Sequence, residues 1–217
     1  MSDQAQSDTP NAFGRQDVTV VERIAQYDGF FQFVSLKLRH RLFAGGWSET
    51  FERELFERGN AAAVLLYDAK ADKVAFVEQI RIGAVAATLP DGTKPNPWLL
   101  EVVAGMIEDG ESAESVVRRE SIEEAGCELQ QLEHIAGYYP SPGACSEYIE
   151  LFCGAMDSDL LGGLHGLSDE QEDIRLQIVD REQAWRWMGE GKLNNASTII
   201  AMQWLQLHAR RLQQQWC

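Results

Sequence analysis

A dense group of carboxylates lies between residues 101 and 128, where nine acidic side chains accompany only two basic ones. Within this group Glu120, Glu123 and Glu124 follow one another at helical spacing. Residues four apart lie on one face of a helix, where like charges cost about 0.2–0.5 kcal/mol per pair. Oxygen ligands on a rigid helix suit Mg²⁺ or Mn²⁺ and do not suit zinc. The spacing predicts a divalent metal site, with a solvated acidic face as the alternative.

The residues around these glutamates are suited to positioning them. Gly105 precedes the group and allows the backbone to approach a ligand closely. Ser112 is a good N-cap residue, and Gly126 can end a helix in the left-handed conformation. We therefore predict a helix from Ser112 through Ala125, with the carboxylates in its second half.

Strands are predicted on both sides of this helix. Gly45-Gly46 joins two apolar runs in a hairpin, and Asp68–Lys73 joins Ala61–Tyr67 to Val74–Ile82 in a second one. The further predicted strands are 98–103, 132–139, 148–155 and 174–179. Two helices follow, the first opened by a capping box of Asp180 and Gln183 and the second running over 195–216. This order predicts an α+β fold in which a mixed sheet is flanked by helices.

The domain organisation follows from composition. Residues 1–16 are polar and are predicted to be a disordered tail. Residues 17–58 form a small N-terminal β domain, which is too short to bury much surface alone. Residues 59–217 form the main domain.

The composition excludes several classes of function. The net charge of −15 disfavours nucleic acid and anionic lipid as partners. The longest apolar stretch, Ala61–Tyr67, is far shorter than the roughly 20 residues that cross a bilayer. The four cysteines and four histidines lack the spacing of a zinc site. With no visible secretory signal, reduced thiols and a cytoplasmic location are expected.

The acidic segment also resembles a known motif. Gly105 is followed after five residues by Glu111, and after seven more by Arg119-Glu120-Ser121-Ile122-Glu123-Glu124-Ala125-Gly126. This pattern resembles the Nudix box, the signature of hydrolases that act on nucleoside diphosphates linked to another moiety. Ser121 departs from the pattern, because the family usually has a bulky aliphatic residue there.

The resemblance extends over residues 18–212, where the chain is similar to the ADP-ribose pyrophosphatase branch of the family. The segments that carry it are Glu57-Arg58-Gly59, Glu78-Gln79-Ile80-Arg81, Trp98-Leu-Leu-Glu101, Ala104-Gly105-Met106, Ser141-Pro142-Gly143 and Glu170-Gln-Glu172-Asp173. The resemblance implies a Nudix fold with a small N-terminal antiparallel sheet domain. It also implies hydrolysis of ADP-ribose to AMP and ribose 5-phosphate with Mg²⁺, for which Mn²⁺ can substitute.

By this resemblance, Glu120 and Glu124 are the core metal ligands, and the backbone carbonyl of Ala104 is a further one. Arg119 would orient the glutamates and Glu123 would support them. In the late acidic loop, Glu170 is assigned as the general base and Glu172 as an additional metal ligand. These two roles can be exchanged, because alternate residues of an extended loop point to opposite sides.

The resemblance also implies substrate contacts outside the metal site. Arg53 and Arg81 would bind phosphate or ribose, since a guanidinium is planar and permanently charged. Glu147 would bind ribose and Phe30 would stack on adenine. The remaining expected substrate contacts are Met106 and Ser141. The family also predicts a homodimer in which Phe30 or Arg53 reaches across from an exchanged N-terminal sheet, with a monomer as the alternative.

Two other functions remain open. The motif recognises the diphosphate and not the base, so the substrate can be another nucleotide sugar such as GDP-mannose. A non-catalytic nucleotide sensor on the same scaffold is the alternative from a different class.

Overall fold

The structure is a computed structural model that describes residues 11–167 and 171–217. They form two compact units. One unit contains the chain up to Arg58 together with Ser141–Ser146, and the other contains Gly59–Pro140 and Glu147–Cys217. Most of the predicted disordered tail, residues 1–10, lies outside the described residues. Its last part differs from the prediction, because Arg15–Asp17 forms a turn of 3-10 helix.

The N-terminal unit is a three-stranded antiparallel sheet. Its strands are β1 (Val18–Asp28), β2 (Gln32–His40) and β3 (Phe51–Glu57), paired in the order β1-β2-β3. Between β2 and β3 the predicted hairpin glycines have φ of 94° and 79°, which only glycine adopts readily. Segment Ser141–Ser146 joins this unit through Phe56, whose N–H donates to the carbonyl of Ala144.

The main unit contains a mixed sheet. Its strands are β4 (Ala61–Asp68), β5 (Lys73–Ile80), β6 (Trp98–Glu101), β7 (Val103–Met106), β8 (Leu132–Tyr138), β9 (Ile149–Ala155), β10 (Leu164–His165) and β11 (Ile174–Asp180). In the described residues the order is β10-β11-β5-β4-β9-β8, with β6 paired to β5 and β7 to β4. The β4–β9 pair is parallel and the other pairs are antiparallel.

Helices cover both faces of this sheet. Of the four helices in the described residues, the short α1 (Ile82–Ala86) has no buried residue, whereas α2 (Ala113–Ala125), α3 (Arg181–Gly189) and α4 (Ala196–Trp216) contribute to the core. All eight residues of β4 are buried. Alternate side chains of β4 belong to two clusters, one containing Val116 of α2 and the other containing Leu205 of α4. The predicted fold, a mixed sheet between helices with a small N-terminal sheet, is confirmed.

Two short strands, β6 and β7, lie between part of β4 and part of β5. The two long strands pair with each other only at Leu66–Asp68, close to their connecting turn. Farther from the turn, β6 pairs with β5 and β7 pairs with β4. The sequence predicts one strand over 98–103, but Val102 interrupts it and donates its N–H to Thr198 Oγ1 at 3.0 Å. Glu101 therefore lies beside Val77 of β5, and Ala104 lies beside Ala63 of β4.

The two C-terminal helices begin where the sequence predicts. Asn195 caps α4, since its side chain accepts from the N–H of Thr198 at 3.0 Å. Asp180 occupies the N-cap position of α3, but its side chain makes no capping hydrogen bond, so the predicted capping box is wrong. None of the helices in the described part of the chain is long and apolar enough to cross a membrane.

Candidate active site

Helix α2 carries the glutamates and is fixed at both ends. The Ser112 hydroxyl accepts from the N–H of Ser115 at 3.1 Å. Gly126 has φ of 62°, and its N–H donates to the carbonyl of Ile122 at 2.9 Å. The predicted helix is therefore confirmed at its N-cap and at its C-terminal glycine.

Glu124 is a buried carboxylate, with 3% of the residue exposed. Oε1 accepts from the side-chain amide of Gln79 at 3.3 Å, and Oε2 accepts from the N–H of Ala104 at 3.1 Å. Burial raises the pKa of Glu124 to about 8, and the negative charge of Glu120 also raises it. The hydrogen bonds from Ala104 and Gln79 lower the pKa of Glu124, but they only partly offset the effect of burial.

Glu120 lies against the backbone of β7. A Cβ built on Gly105 would be 1.8 Å from Oε1 of Glu120, so this position requires glycine. Burial raises the pKa of Glu120, and the charges of Glu123 and Glu172 raise it further against the opposing effect of Arg119. The predicted metal ligands on α2 are therefore placed beside β7, where Ala104 also lies.

Arg119 connects three carboxylates of the acidic segment. Its Nη1 donates to Glu120 at 2.8 Å and to Glu123 at 3.0 Å, while its Nε donates to Glu111 at 3.3 Å. Burial opposes the charge of Arg119, but these carboxylates raise the pKa of its guanidinium overall. The planar donor fork of arginine holds all three side chains in a fixed arrangement.

The described ends of the late loop lie near the C-terminal end of α2. Gly166 donates its N–H to the carbonyl of Glu123 at 3.3 Å. Glu172 donates its N–H to the carbonyl of Leu167, and its carboxylate accepts from the N–H of Leu167 at 3.4 Å. The negative charge of Glu172 contributes to raising the pKa of Glu120. Glu170, the predicted base, lies outside the described residues.

Arg81 is held at the same site by a residue that the sequence analysis did not select. Its Nε donates to the carboxylate of Glu101 on β6, and its positive charge lowers the pKa of Glu124. Gln79 was also missed as a contact of Glu124. The sequence could have indicated Gln79, because it follows Ala75 and Val77 at every second position of β5. The three residues therefore lie on one face of the strand, where Ala75 and Val77 are buried.

The chain matches a known domain family over most of its length. Residues 57–205 match the family model of the NUDIX domain. The chain belongs to the Nudix family. The ADP-ribose pyrophosphatase of Escherichia coli strain K12 is a relative with 47% identity, covering 95% of this chain and 96% of that protein. The enzyme of the same name from Haemophilus influenzae is 47% identical over 94% of this chain and 93% of its own length.

This Nudix protein also has two weaker similarities, one in sequence and one in fold. The GDP-mannose pyrophosphatase of Cronobacter sakazakii is 34% identical and covers 72% of this chain and 78% of that protein. The crystal structure of an ADP compounds hydrolase matches with a TM-score of 0.64 and 18% identity. The match covers 94% of this chain and 98% of that one, and at this identity the likeness concerns the fold.

The other predicted site residues are distributed over both units of the Nudix protein. Met106 lies on β7 and is half-buried. Glu147 is buried in the main unit, where its charge contributes to raising the pKa of Tyr138. Phe30, Arg53 and Ser141 belong to the N-terminal unit. Of these three, Phe30 is 85% exposed and packs edge-on against a neighbouring ring.

The carboxylates of this Nudix site fit a divalent cation. Glu124 and Glu120 are hard oxygen donors with raised pKa values, so a cation would relieve the cost of their buried charges. Among the described residues, no group of three or more His, Cys, Asp or Glu side chains is arranged to hold a metal ion. An ion held by Glu120 and Glu124 would need further oxygen ligands, for which the sequence analysis predicts the Ala104 carbonyl and Glu172.

Proposed function

We propose that this Nudix protein hydrolyses the pyrophosphate of ADP-ribose to AMP and ribose 5-phosphate with Mg²⁺, for which Mn²⁺ can substitute. The observation that carries the proposal is the buried Glu124 carboxylate, whose neighbour Glu120 is pressed against Gly105. The choice of substrate is supported by the ADP-ribose pyrophosphatases that match nearly the whole chain at 47% identity.

The negative charges of site and substrate require a cation between them. A carboxylate 4 Å from a phosphate charge would cost about 4 kcal/mol at an effective dielectric near 20. Glu120 and Glu124 would hold Mg²⁺, with the Ala104 carbonyl and Glu172 as further ligands. A bound divalent cation neutralises phosphate oxygens and lowers the pKa of water.

The protein's own residues would position the reaction and move the proton. Arg119 holds Glu120 and Glu123 in their places through its two Nη1 hydrogen bonds. Glu170 is proposed to take the proton from the attacking water onto a carboxylate oxygen, with Glu172 as the alternative base. Arg81 is proposed to bind a phosphate oxygen through its NH groups, since Glu101 occupies its Nε.

The remaining proposed substrate contacts follow the family resemblance. Arg53 would bind phosphate or ribose, Glu147 would bind ribose and Phe30 would stack on adenine. Met106 and Ser141 complete the proposed set. Exposure of the Phe30 ring supports its role, because an exposed aromatic side chain is free to stack on a ligand.

We also propose a homodimer formed through the N-terminal unit. Val21, Tyr27 and Phe30 of this unit are 59%, 66% and 85% exposed, and apolar surface of this kind favours association. A cytoplasmic location is proposed from the four cysteines, all of which are free thiols. Sedimentation of the purified protein tests the dimer, and a single monomeric species across micromolar concentrations would contradict it.

A second substrate needs a direct comparison because the GDP-mannose pyrophosphatase relative is 34% identical. The test is a panel of nucleotide sugars assayed for nucleoside monophosphate release with Mg²⁺, with the ADP-ribose products identified in ¹⁸O-labelled water. We expect AMP and ribose 5-phosphate, with ¹⁸O in one of them. A tenfold higher kcat/KM for GDP-mannose would overturn the substrate, and nucleotide binding without turnover of any member would indicate a sensor.

The two candidate bases are separated by a pair of variants. Glu170→Gln should leave substrate binding intact and lower kcat by roughly 10²–10⁴-fold, the usual contribution of a general base. Glu172→Gln should instead raise the Mg²⁺ concentration needed for half-maximal activity. An unchanged kcat in Glu170→Gln, together with a lowered one in Glu172→Gln, would exchange the two roles.

A further inference from the structure

The imidazole of His165 occupies space that a glycine leaves open at the end of α2. A Cβ built on Gly126 would be 3.0 Å from Cε1 of His165 and 3.6 Å from its Nδ1. Gly126 also has the positive φ that ends the helix. One glycine therefore both caps the helix and provides a place for the histidine ring.

A hydrogen bond fixes the ring on its other side. Nε2 of His165 is 3.0 Å from the carbonyl oxygen of Gly162. Because a carbonyl only accepts hydrogen bonds, Nε2 must carry the proton. His165 also pairs with Ile174 in the β10–β11 ladder. The side chain therefore connects the end of α2 to the segment that leads into the late loop.

The residues after His165 attach the base of the late loop to α2. Gly166 donates its N–H to the carbonyl of Glu123, the residue before Glu124. A Cβ on Gly166 would be 2.8 Å from Cβ of Glu172, so the two ends of the loop are in close contact. Hydrogen bonds in both directions join Leu167 to Glu172. The described ends of the loop thus form a closed base that lies on the last turn of the helix.

We propose that His165 is a positioning residue for the hydrolysis proposed above, on which this inference rests. It holds Gly166 against α2, so that Glu172 keeps a fixed place relative to Glu120 and Glu124. The base of the loop is attached by a few backbone hydrogen bonds, and such segments open locally at low cost. A misplacement of about 1 Å can lower a rate by as much as 10²-fold.

Two substitutions separate the hydrogen bond from the presence of a polar side chain. In His165→Gln the amide nitrogen can reach the place of Nε2 and donate to Gly162. In His165→Asn the amide nitrogen reaches only the place of Nδ1, so the donation is lost. His134→Asn is the matched control, because His134 is exposed on β8 and contacts Glu150. All three proteins should be compared with the unsubstituted chain.

The experiment has one readout that does not depend on activity. Amide hydrogen exchange of residues 164–167 should be about tenfold faster in His165→Asn than in the unsubstituted protein and unchanged in His165→Gln. Exchange of β4 should stay the same in all variants. Equal exchange of residues 164–167 in His165→Asn, or faster exchange throughout the main unit, would overturn the proposal.

The second readout is the rate of AMP release from ADP-ribose with Mg²⁺. We expect His165→Asn to lower kcat by about 10–10²-fold with KM changed less than threefold, and His165→Gln to restore the rate. A changed KM at constant kcat, or no rescue by glutamine, would overturn the positioning role. If the unsubstituted protein releases no AMP, the proposed function fails, while the exchange measurement still tests whether His165 anchors the loop.

Discussion

Gly105 of β7 and Glu120 of α2 approach so closely that a Cβ on the glycine would be 1.8 Å from Oε1 of the glutamate. The close approach lets the helix carboxylate lie directly beside the strand that supplies Ala104. Glycine at this position therefore serves the placement of a charged side chain and not the bending of the backbone, since its φ is not positive.

Substitution of Gly105 should affect turnover more than folding. In Gly105→Ala the added methyl group displaces the Glu120 carboxylate, and we expect kcat/KM to fall by about 10²-fold. The control is Gly189→Ala, because a Cβ added to Gly189 at the end of α3 would meet no atom within 4 Å. Steady-state kinetics and thermal unfolding check both variants. Equal activity of the two would show that the position of Glu120 is not critical.

Removal of the Glu124 charge should weaken metal binding at the site. Glu124→Gln keeps the shape of the side chain and loses the negative charge that attracts a cation. We expect at least a tenfold weaker Mn²⁺ affinity by titration calorimetry, since even indirect partners of a metal cost 10–100-fold. Glu114→Gln is the control, because Glu114 lies on the exposed side of α2 with Arg118. Unchanged affinity in Glu124→Gln would place the ion elsewhere.

The two neighbouring arginines of α2 provide a matched pair. Arg119→Lys loses the fork that joins Glu111, Glu120 and Glu123, and lysine offers only a single point charge. We expect activity to fall about 10–100-fold, as is usual for residues that orient metal ligands. Arg118→Lys should change activity less than twofold. The measurement is kcat at saturating Mg²⁺, and similar losses in both variants would contradict the orienting role of Arg119.

The stability of the main unit at acid pH should depend on Asp68. Burial raises the pKa of Asp68, but hydrogen bonds from Ser158, Ala71 and Lys70 outweigh it and lower the pKa below 3.8. A lowered pKa stabilises the fold above the unfolded value and loses this effect as pH falls through the folded one. Asp68→Asn should lower the free energy of unfolding by about 2 kcal/mol at pH 7, as for hydrogen bonds to charged groups.

The same variant should flatten the pH dependence below 4. Urea unfolding at a series of pH values measures the effect. Asp159→Asn, which removes an exposed carboxylate next to Ser158, should leave the loss of stability at acid pH unchanged. Parallel curves for Asp68→Asn and the unsubstituted protein would show that Asp68 does not contribute.

Local signals made the helix of the site predictable, while contacts distant in sequence were not. Ser112 and Gly126 mark the ends of α2 through interactions within a few residues, so the sequence contains the whole cause. The interruption at Val102 depends on Thr198, which lies 96 residues later. The contact of Glu101 with Arg81 depends likewise on the pairing of β6 with β5. No spacing pattern in the sequence specifies such pairings.

Strand β3 shows why the N-terminal unit was only partly predictable. Four of the six residues over 52–57 are charged, yet they continue the strand from Phe51. Glu52, Arg53 and Glu54 are exposed, so the strand has little of the alternation that identifies a half-buried one.

Ser121 is a different case, because it is a polar residue at a position where the motif usually has an aliphatic one. Its hydroxyl donates to the carbonyl of Val117 at 2.7 Å, and this satisfies a polar group where an aliphatic one was expected.

The parallel pairing of β4 with β9 has a consequence for biosynthesis. Ala61 pairs with Ile149, which leaves the ribosome only after 88 further residues have been added. Until then, seven strongly apolar residues of β4 lack a neighbour along one edge and are available to chaperones or to other nascent chains. A chain interrupted before Ala155 would present this unpaired edge permanently, so premature termination should yield aggregates or degradation products instead of a smaller folded hydrolase.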